Sequence, residues 1–417
     1  MKDMLGREEL ILVESALERL FGAAPFHRTR EIFVPLEQAY GVVTSRDIIS
    51  PEDLPAFSRS TVDGYAVNST DTFGATDSLP ACLSMKAEIL MGEKPEFHLN
   101  KGEAAGIATG GMLPPGADAV VMFEHTQKID EKMIEIVKPA SPGENVIQAG
   151  EDSQKGAIVL RSGQRLRPQD VGALAGLGIT EVPVLERPRI SIVSTGDEIV
   201  PADEQVNPGQ VRDINSYVLS GLILAAGGIP LKKGIFKDRY EVIRSVVERS
   251  LEDSEMILIS GGSSVGAKDM TAKVINDIGK PGVLFHGVSM KPGKPLIGGV
   301  VDGRPIFGLP GHPVAVHICF EIFVRPILES IAGLRAKGIV DGTRTVKARI
   351  GKNISSSPGR EEHIGVILEE RAGELWAVPV LGKSGLITNL TLADGTAVIP
   401  LRKFGVHEGE IVEIRLF

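Results

Sequence analysis

Between residues 190 and 313 the chain runs five times through the same pattern, an apolar stretch followed by a short turn suited to holding an anion. The turns read Ser194-Thr195-Gly196-Asp197-Glu198, Lys237-Asp238, Gly261-Gly262-Ser263-Ser264-Val265-Gly266, Lys291-Pro292-Gly293-Lys294-Pro295 and Leu309-Pro310-Gly311-His312-Pro313. Helical patterns stand between them. Residues 216–226 close on Gly227-Gly228, and after Asp238 the residues Val242, Ile243, Val246, Val247 and Leu251 share one face. Residues 256–260 are apolar throughout, as in a parallel strand covered on both sides. With strands over 190–194, 229–236, 283–288 and 305–309 and a closing helix over 315–331, the region 187–335 is expected to form a doubly wound, three-layer α/β/α sandwich. Open α/β sheets bind ligands outside the carboxyl ends of their strands, so the five turns are expected to face one crevice.

The flanks differ. Residues 51–140 hold short β-prone runs among Gly and Pro, which predicts a β-rich domain. Residues 1–50 and 141–186 are expected to frame it as an N-terminal linker domain, with a helix over 168–178 opened by Pro168 and stopped by Gly178. Beyond Gly333 strands return without helices, at 345–350, 363–368, 375–380, 397–400 and 410–416, which predicts a small C-terminal β-barrel over 336–417.

Bulk properties exclude several classes. Among 417 residues the net charge is −9, which argues against a general binder of nucleic acid or anionic membrane. The two cysteines, Cys82 and Cys319, form no CxxC, consistent with a reduced compartment and no structural disulfide. Leu10, Val13, Leu17 and Leu20 recur at helical spacing among charges, unlike an export signal, and the apolar stretch 218–226 is too short to span a bilayer. A cytoplasmic protein is expected.

The turns carry distinct chemistries. Backbone N–H groups of Gly261, Gly262, Ser263 and Gly266 could close on an oxyanion at a helix start. The match to a phosphate-binding P-loop fails at Ala267, where lysine is needed, so an NTP hydrolase is not indicated. Such a loop can equally be a plain strand-to-helix turn. Pro292 and Pro295 stiffen a segment presenting Lys291 and Lys294, although loop lysines are commonly just solvated charge. Asp197, Glu198, Asp238 and Asp269 beside an anion cradle imply a hard divalent cation, with Mg2+ the natural choice. The plainer alternative makes Asp238 and Asp269 helix N-caps. His312, in its tight turn, is a candidate ligand contact, while no zinc signature occurs.

One segment is hard to explain by fold alone: Pro55-Ala56-Phe57-Ser58-Arg59-Ser60-Thr61-Val62-Asp63-Gly64-Tyr65-Ala66-Val67. Taken with Thr109-Gly110-Gly111, Gly150-Glu151-Asp152, the turns above, Ser357-Pro358-Gly359-Arg360 and Gly382-Lys383-Ser384-Gly385-Leu386-Ile387, it resembles the molybdopterin molybdenumtransferase family, bacterial relatives of the gephyrin E domain, over nearly the whole chain. The resemblance implies a molybdopterin-binding fold and insertion of molybdate into adenylylated molybdopterin, with Mg2+, releasing AMP. It also implies an elongated homodimer whose cleft is shared between the sandwich of one subunit and the β-domain of the other, and further proteins of molybdenum-cofactor synthesis as partners. By motif, Gly261, Gly262, Ser263 and Gly266 would cradle the pterin phosphate. Asp63, Thr109, Glu198, Asp238 and Asp269 would be catalytic, and Asp269, Asp238 and Glu198 would hold the metal. Lys291, Lys294, Pro295, Arg360 and Ser384 would bind the oxyanion, and Pro310 and Pro313 would shape the floor. Asp63 or Glu198 would move protons.

Three positions depart from the family's pattern. Ala315 replaces a usual serine, with His312 as a substitute; Ile147 replaces a common arginine, and His363 a common aromatic residue. A non-catalytic scaffold and a nucleotide-processing enzyme on the same sandwich are the competing classes. Molybdate and tungstate fit the pattern equally.

Overall fold

The structure, a computed structural model, describes residues 10–26, 29–261, 265–335 and 345–417, and for 265–269 the backbone only. The sandwich comprises strands β1 (Arg189–Thr195), β2 (Ile229–Phe236), β3 (Met256–Gly261), β4 (Pro281–His286), β5 (Met290–Lys291), β6 (Ile297–Val301) and β7 (Arg304–Leu309). Its helices are α1 (Asn215–Ala226), α2 (Tyr240–Asp253), α3 (Val265–Ile278), α4 (Pro313–Cys319) and α5 (Arg325–Ile331). Six of the strands form one sheet in the order β2-β1-β3-β7-β6-β4. Alternation along buried β3 divides the core. Ile257 and Ile259 face α2 and α3 with Ile243, Val246, Val247, Val274 and Ile275, whereas Met256 and Leu258 face α1, α4 and α5. The N-terminal helix Val13–Gly22 adds Ala16 and Leu20 to the second of these clusters.

Two expectations are corrected. The segment 283–288 does not pair with a parallel neighbour: β4 runs in the common direction at the sheet edge, but β6, unmarked in the sequence pattern, stands antiparallel between it and β7. Gly298 and Gly299 in β6 leave no side chain there; a Cβ on Gly298 would lie 2.4 Å from the Phe285 ring. Nor is 315–331 one helix. A π-turn at Phe320–Val324 separates α4 from α5, because Pro326 has no N–H to continue the ladder.

Pairing register fixes where the turns emerge. Gly234, Val193, Ile259, Gly308, Ile297 and His286 lie at one level across the sheet. The chain direction reverses from β7 to β6 and again to β4, so β4 ends at the same edge as β1, β2, β3 and β7. All five turns therefore leave from one side of the sheet.

Two β units flank the sandwich. Residues 64–136 form a six-stranded sheet in which Gly64–Val67 lies between Glu103–Ile107 and Ala119–Met122. At the other end β8 (Thr345–Ile350), β9 (Glu361–Arg371), β10 (Glu374–Pro379), β11 (Gly395–Ile399) and β12 (Ile411–Leu416) close a five-stranded barrel through the β9–β11 pairing. The helix expected over 168–178 runs Pro168–Gly176, with Gly178 at φ +68° after it. Among the described residues no helix is long and apolar enough to cross a membrane.

Candidate functional site

Backbone geometry at the sheet edge depends on two glycines. Gly261 ends β3 at φ +140°, where a Cβ would stand 1.7 Å from the Thr195 carbonyl oxygen. Gly196 follows β1 at φ +150°, and a Cβ there would meet the Glu198 carboxylate at 2.8 Å. Only glycine lets these two strand ends lie so close. Beneath them runs a lattice the sequence reading missed. Ser194 Oγ donates to Asp213 at 2.8 Å, and Asn215 Nδ2 donates to Ser260 Oγ and to the Gly311 carbonyl, both at 2.9 Å. Asn215 thus ties the fifth turn to the third. Its signal, a polar residue at the start of an otherwise apolar helix, is visible in the sequence.

The acidic corner comes next. Asp238 does not cap α2: the helix is preceded by Arg239, and no side-chain cap bond forms. Its Oδ1 is buried with no hydrogen-bond partner. Burial pushes the Asp238 carboxyl above its ordinary value; the Thr195 hydroxyl opposes this, and the charges of Glu198 and Asp197 reinforce it. Three carboxylates therefore crowd one end of the sheet. Asp269 is not an N-cap either, since α3 begins at Val265 and places it in the second turn. Gly266 lies in the first turn of α3, while the side chain of Asp269, and all of Gly262 and Ser263, lie outside the described residues. An orphaned buried carboxylate oxygen amid like charges suits Mg2+, which uses few protein oxygens and keeps several waters. Among the described residues no three such groups form a metal cage. Beside Gly196 and Asp197 a cavity of about 530 Å³ opens, walled by Tyr217 and Lys232.

The barrel meets this edge at two points. His312 Nδ1 lies 2.9 Å from Ser384 Oγ, and the Val314 N–H donates to the Ser384 carbonyl at 3.3 Å. Lys291, on β5, pairs in parallel register with Glu362 of β9, and its ammonium lies 2.5 Å from that carboxylate. Lys294 is exposed and forms no ion pair among the described residues. Arg360 is half-buried, and its Nε has no partner. Pro310 and Pro313 are buried under the fifth turn, while Pro295 is half-buried. Of the departures, Ala315 is buried in α4 and Ile147 pairs with Arg59. His363 is buried 2.8 Å from the Glu361 carboxylate.

Asp63 and Thr109 form a separate centre. Asp63 Oδ1 accepts from the Thr109 N–H at 2.7 Å and from its hydroxyl at 2.9 Å. Those bonds hold the exposed Asp63 carboxyl below its ordinary value. The apolar clusters beneath this pair contain only residues from 62 to 146, so the sheet carrying it is built without the sandwich.

Comparison with known proteins accounts for the whole arrangement. Residues 11–178 match the MoeA N-terminal region (domain I and II), 191–330 the probable molybdopterin binding domain, and 347–417 the MoeA C-terminal region (domain IV). The chain belongs to the MoeA family. It is 30% identical over 418 residues to the molybdopterin molybdenumtransferase of Bacillus subtilis, covering 99% of this chain and 95% of that one. It is 35% identical to molybdopterin molybdenumtransferase 2 of Mycobacterium tuberculosis, covering 82% and 85%. A crystal structure of the molybdopterin biosynthesis MoeA protein of Pyrococcus horikoshii superposes with a TM-score of 0.84 at 31% identity, covering 98% and 100%. The chain is accordingly a transferase of molybdenum-cofactor biosynthesis that acts in molybdenum insertion.

Proposed function

We propose that this MoeA-family transferase takes adenylylated molybdopterin as its pterin substrate, inserts molybdenum from molybdate into its dithiolene as a molybdate oxygen leaves as water, and cleaves the adenylyl phosphoanhydride with water to release AMP, with Mg2+ bound. The carrying observation is the register that sends five turns to one sheet edge, where Ser384 of the barrel meets His312. A compact dianion needs fixed cations and hydroxyl donors, and Lys294, Arg360 and Ser384 are of that type. Gly261, with Gly262, Ser263 and Gly266, would hold the pterin phosphate. Asp238 and Glu198, with Asp269, would hold Mg2+, which supplies Lewis-acid stabilisation of charge developing on the phosphoryl oxygens. Forming water from a molybdate oxygen consumes two protons. Asp63, held below the ordinary carboxylate range, is poorly suited to carry them near neutral pH. Asp63 and Thr109 would instead enter the cleft from a second copy, as a homodimer in the cytoplasm.

The test incubates purified protein with adenylylated molybdopterin, Mg2+ and molybdate. AMP is expected only when molybdate is present, with chelation stopping its release and ATP failing to replace the pterin. Binding without AMP release would contradict the proposal. Tungstate as a competitor in the same assay fixes the oxyanion preference.

A further inference from the structure

Glu362 belongs to none of the family-like motifs, yet it joins the barrel to the sandwich. Both of its oxygens are engaged: Oε1 accepts from Lys291 at 2.5 Å, and Oε2 accepts from Ser356 Oγ at 2.7 Å. Its side chain is 8% exposed, while that of Lys291 is 51% exposed. The carboxylate is therefore the fixed partner, and the ammonium, with three donors, keeps hydrogens for another acceptor. Strand pairing sets the two residues opposite each other, with Met290 opposite Glu361 and Lys291 opposite Glu362. Arg360 lies two residues away, its Nε buried without a partner and its charge felt by Glu362. Lys291 thus pairs with a buried carboxylate that also feels the positive charge of Arg360.

We infer that Glu362 is a positioning residue for the oxyanion, aiming Lys291 across the barrel–sandwich junction so that the incoming dianion meets a cation already in place. This rests on the reading of Lys291 as an oxyanion ligand. A lysine stem loses much rotamer freedom when it is fixed, and Glu362 imposes that loss before the anion arrives. The carboxylate itself does not touch the anion, which it would repel. It acts through Lys291, with Ser356 holding it from behind.

The experiment is a double-mutant cycle on the full-length chain with Glu362→Gln and Lys291→Met. It is read by calorimetric titration with sodium molybdate and by the molybdate dependence of AMP release. Glu362→Gln is expected to raise the molybdate Kd and KM about tenfold, with kcat at saturating molybdate changed less than twofold. In the Lys291→Met background the same change is expected to add nothing. Should Glu362→Gln fail to fold, Ser356→Ala loosens the same carboxylate, with a smaller rise in KM expected. Additive effects in the double variant, or a fall in kcat with KM unchanged, would overturn the inference. If Lys291→Met leaves the molybdate Kd unchanged, the assignment of Lys291 to the oxyanion fails first. If Lys291→Met weakens binding and Glu362→Gln does not, only the role given to Glu362 falls.

Discussion

Two aspartates show how neighbours assign different tasks to one side-chain type. Asp238 sits where burial and two nearby carboxylates disfavour its charge. Its folded-state pKa lies above the unfolded value, so its ionisation opposes folding at neutral pH, and the penalty disappears as pH falls below the unfolded value of 3.8. Asp238→Asn should therefore melt about 2 °C higher than the parent at pH 7. That advantage should shrink as the pH is lowered through the raised pKa, while AMP release falls. A lower melting temperature at pH 7 would mean the carboxylate stabilises the fold. Asp63 is the opposite case, since two bonds from Thr109 hold it ionised. Asp63→Ala should reduce turnover about 100-fold with little change in thermal unfolding. Thr109→Val should shift the acid limb of the pH–rate profile upward, because it removes the hydroxyl bond that helps depress the Asp63 carboxyl. An unmoved limb would exclude Asp63 from the titrating set.

The elements explain both what the sequence disclosed and what it hid. Strands β1, β3 and β7 are legible because an apolar strand covered on both faces has a strong local signature, and the edge strand β2 because Gly227-Gly228 and Lys237-Asp238 bracket it. Strand β6 is not, since Gly298 and Gly299 blur β-propensity, and their absent side chains matter only once Phe285 packs over them. Gly298→Ala should cost about 1–3 kcal/mol through overpacking, read as a lower urea midpoint; an unchanged midpoint would show that Phe285 can yield. At the site, the five turns were visible as turns, and the motif resemblance named most of the residues. Glu362 and Asn215 escape the sequence because their partners are distant in it: Glu362 meets Lys291 across 71 positions, and Asn215 meets Gly311 across 96. The capping alternative fails at Asp238 for the same reason, since its carboxylate turns to Thr195 and not to its own helix.

For the molecule as a whole, the sandwich edge and the Asp63–Thr109 pair stand on separately cored units. The catalytic reading needs both in one cleft, with the second copy of a twofold pair supplying the β-domain residues. Subunit complementation tests this arrangement most directly. Asp63→Ala and Asp269→Ala chains, each inactive alone, are co-expressed with different tags, and the mixed species is purified through both. If each cleft draws Asp63 from one chain and Asp269 from the other, a mixed dimer holds one doubly altered cleft and one intact cleft. About half of the unaltered dimer's AMP release should then return. A mixed species as inactive as its parents would show that both residues serve from the same chain, or that the two centres never meet.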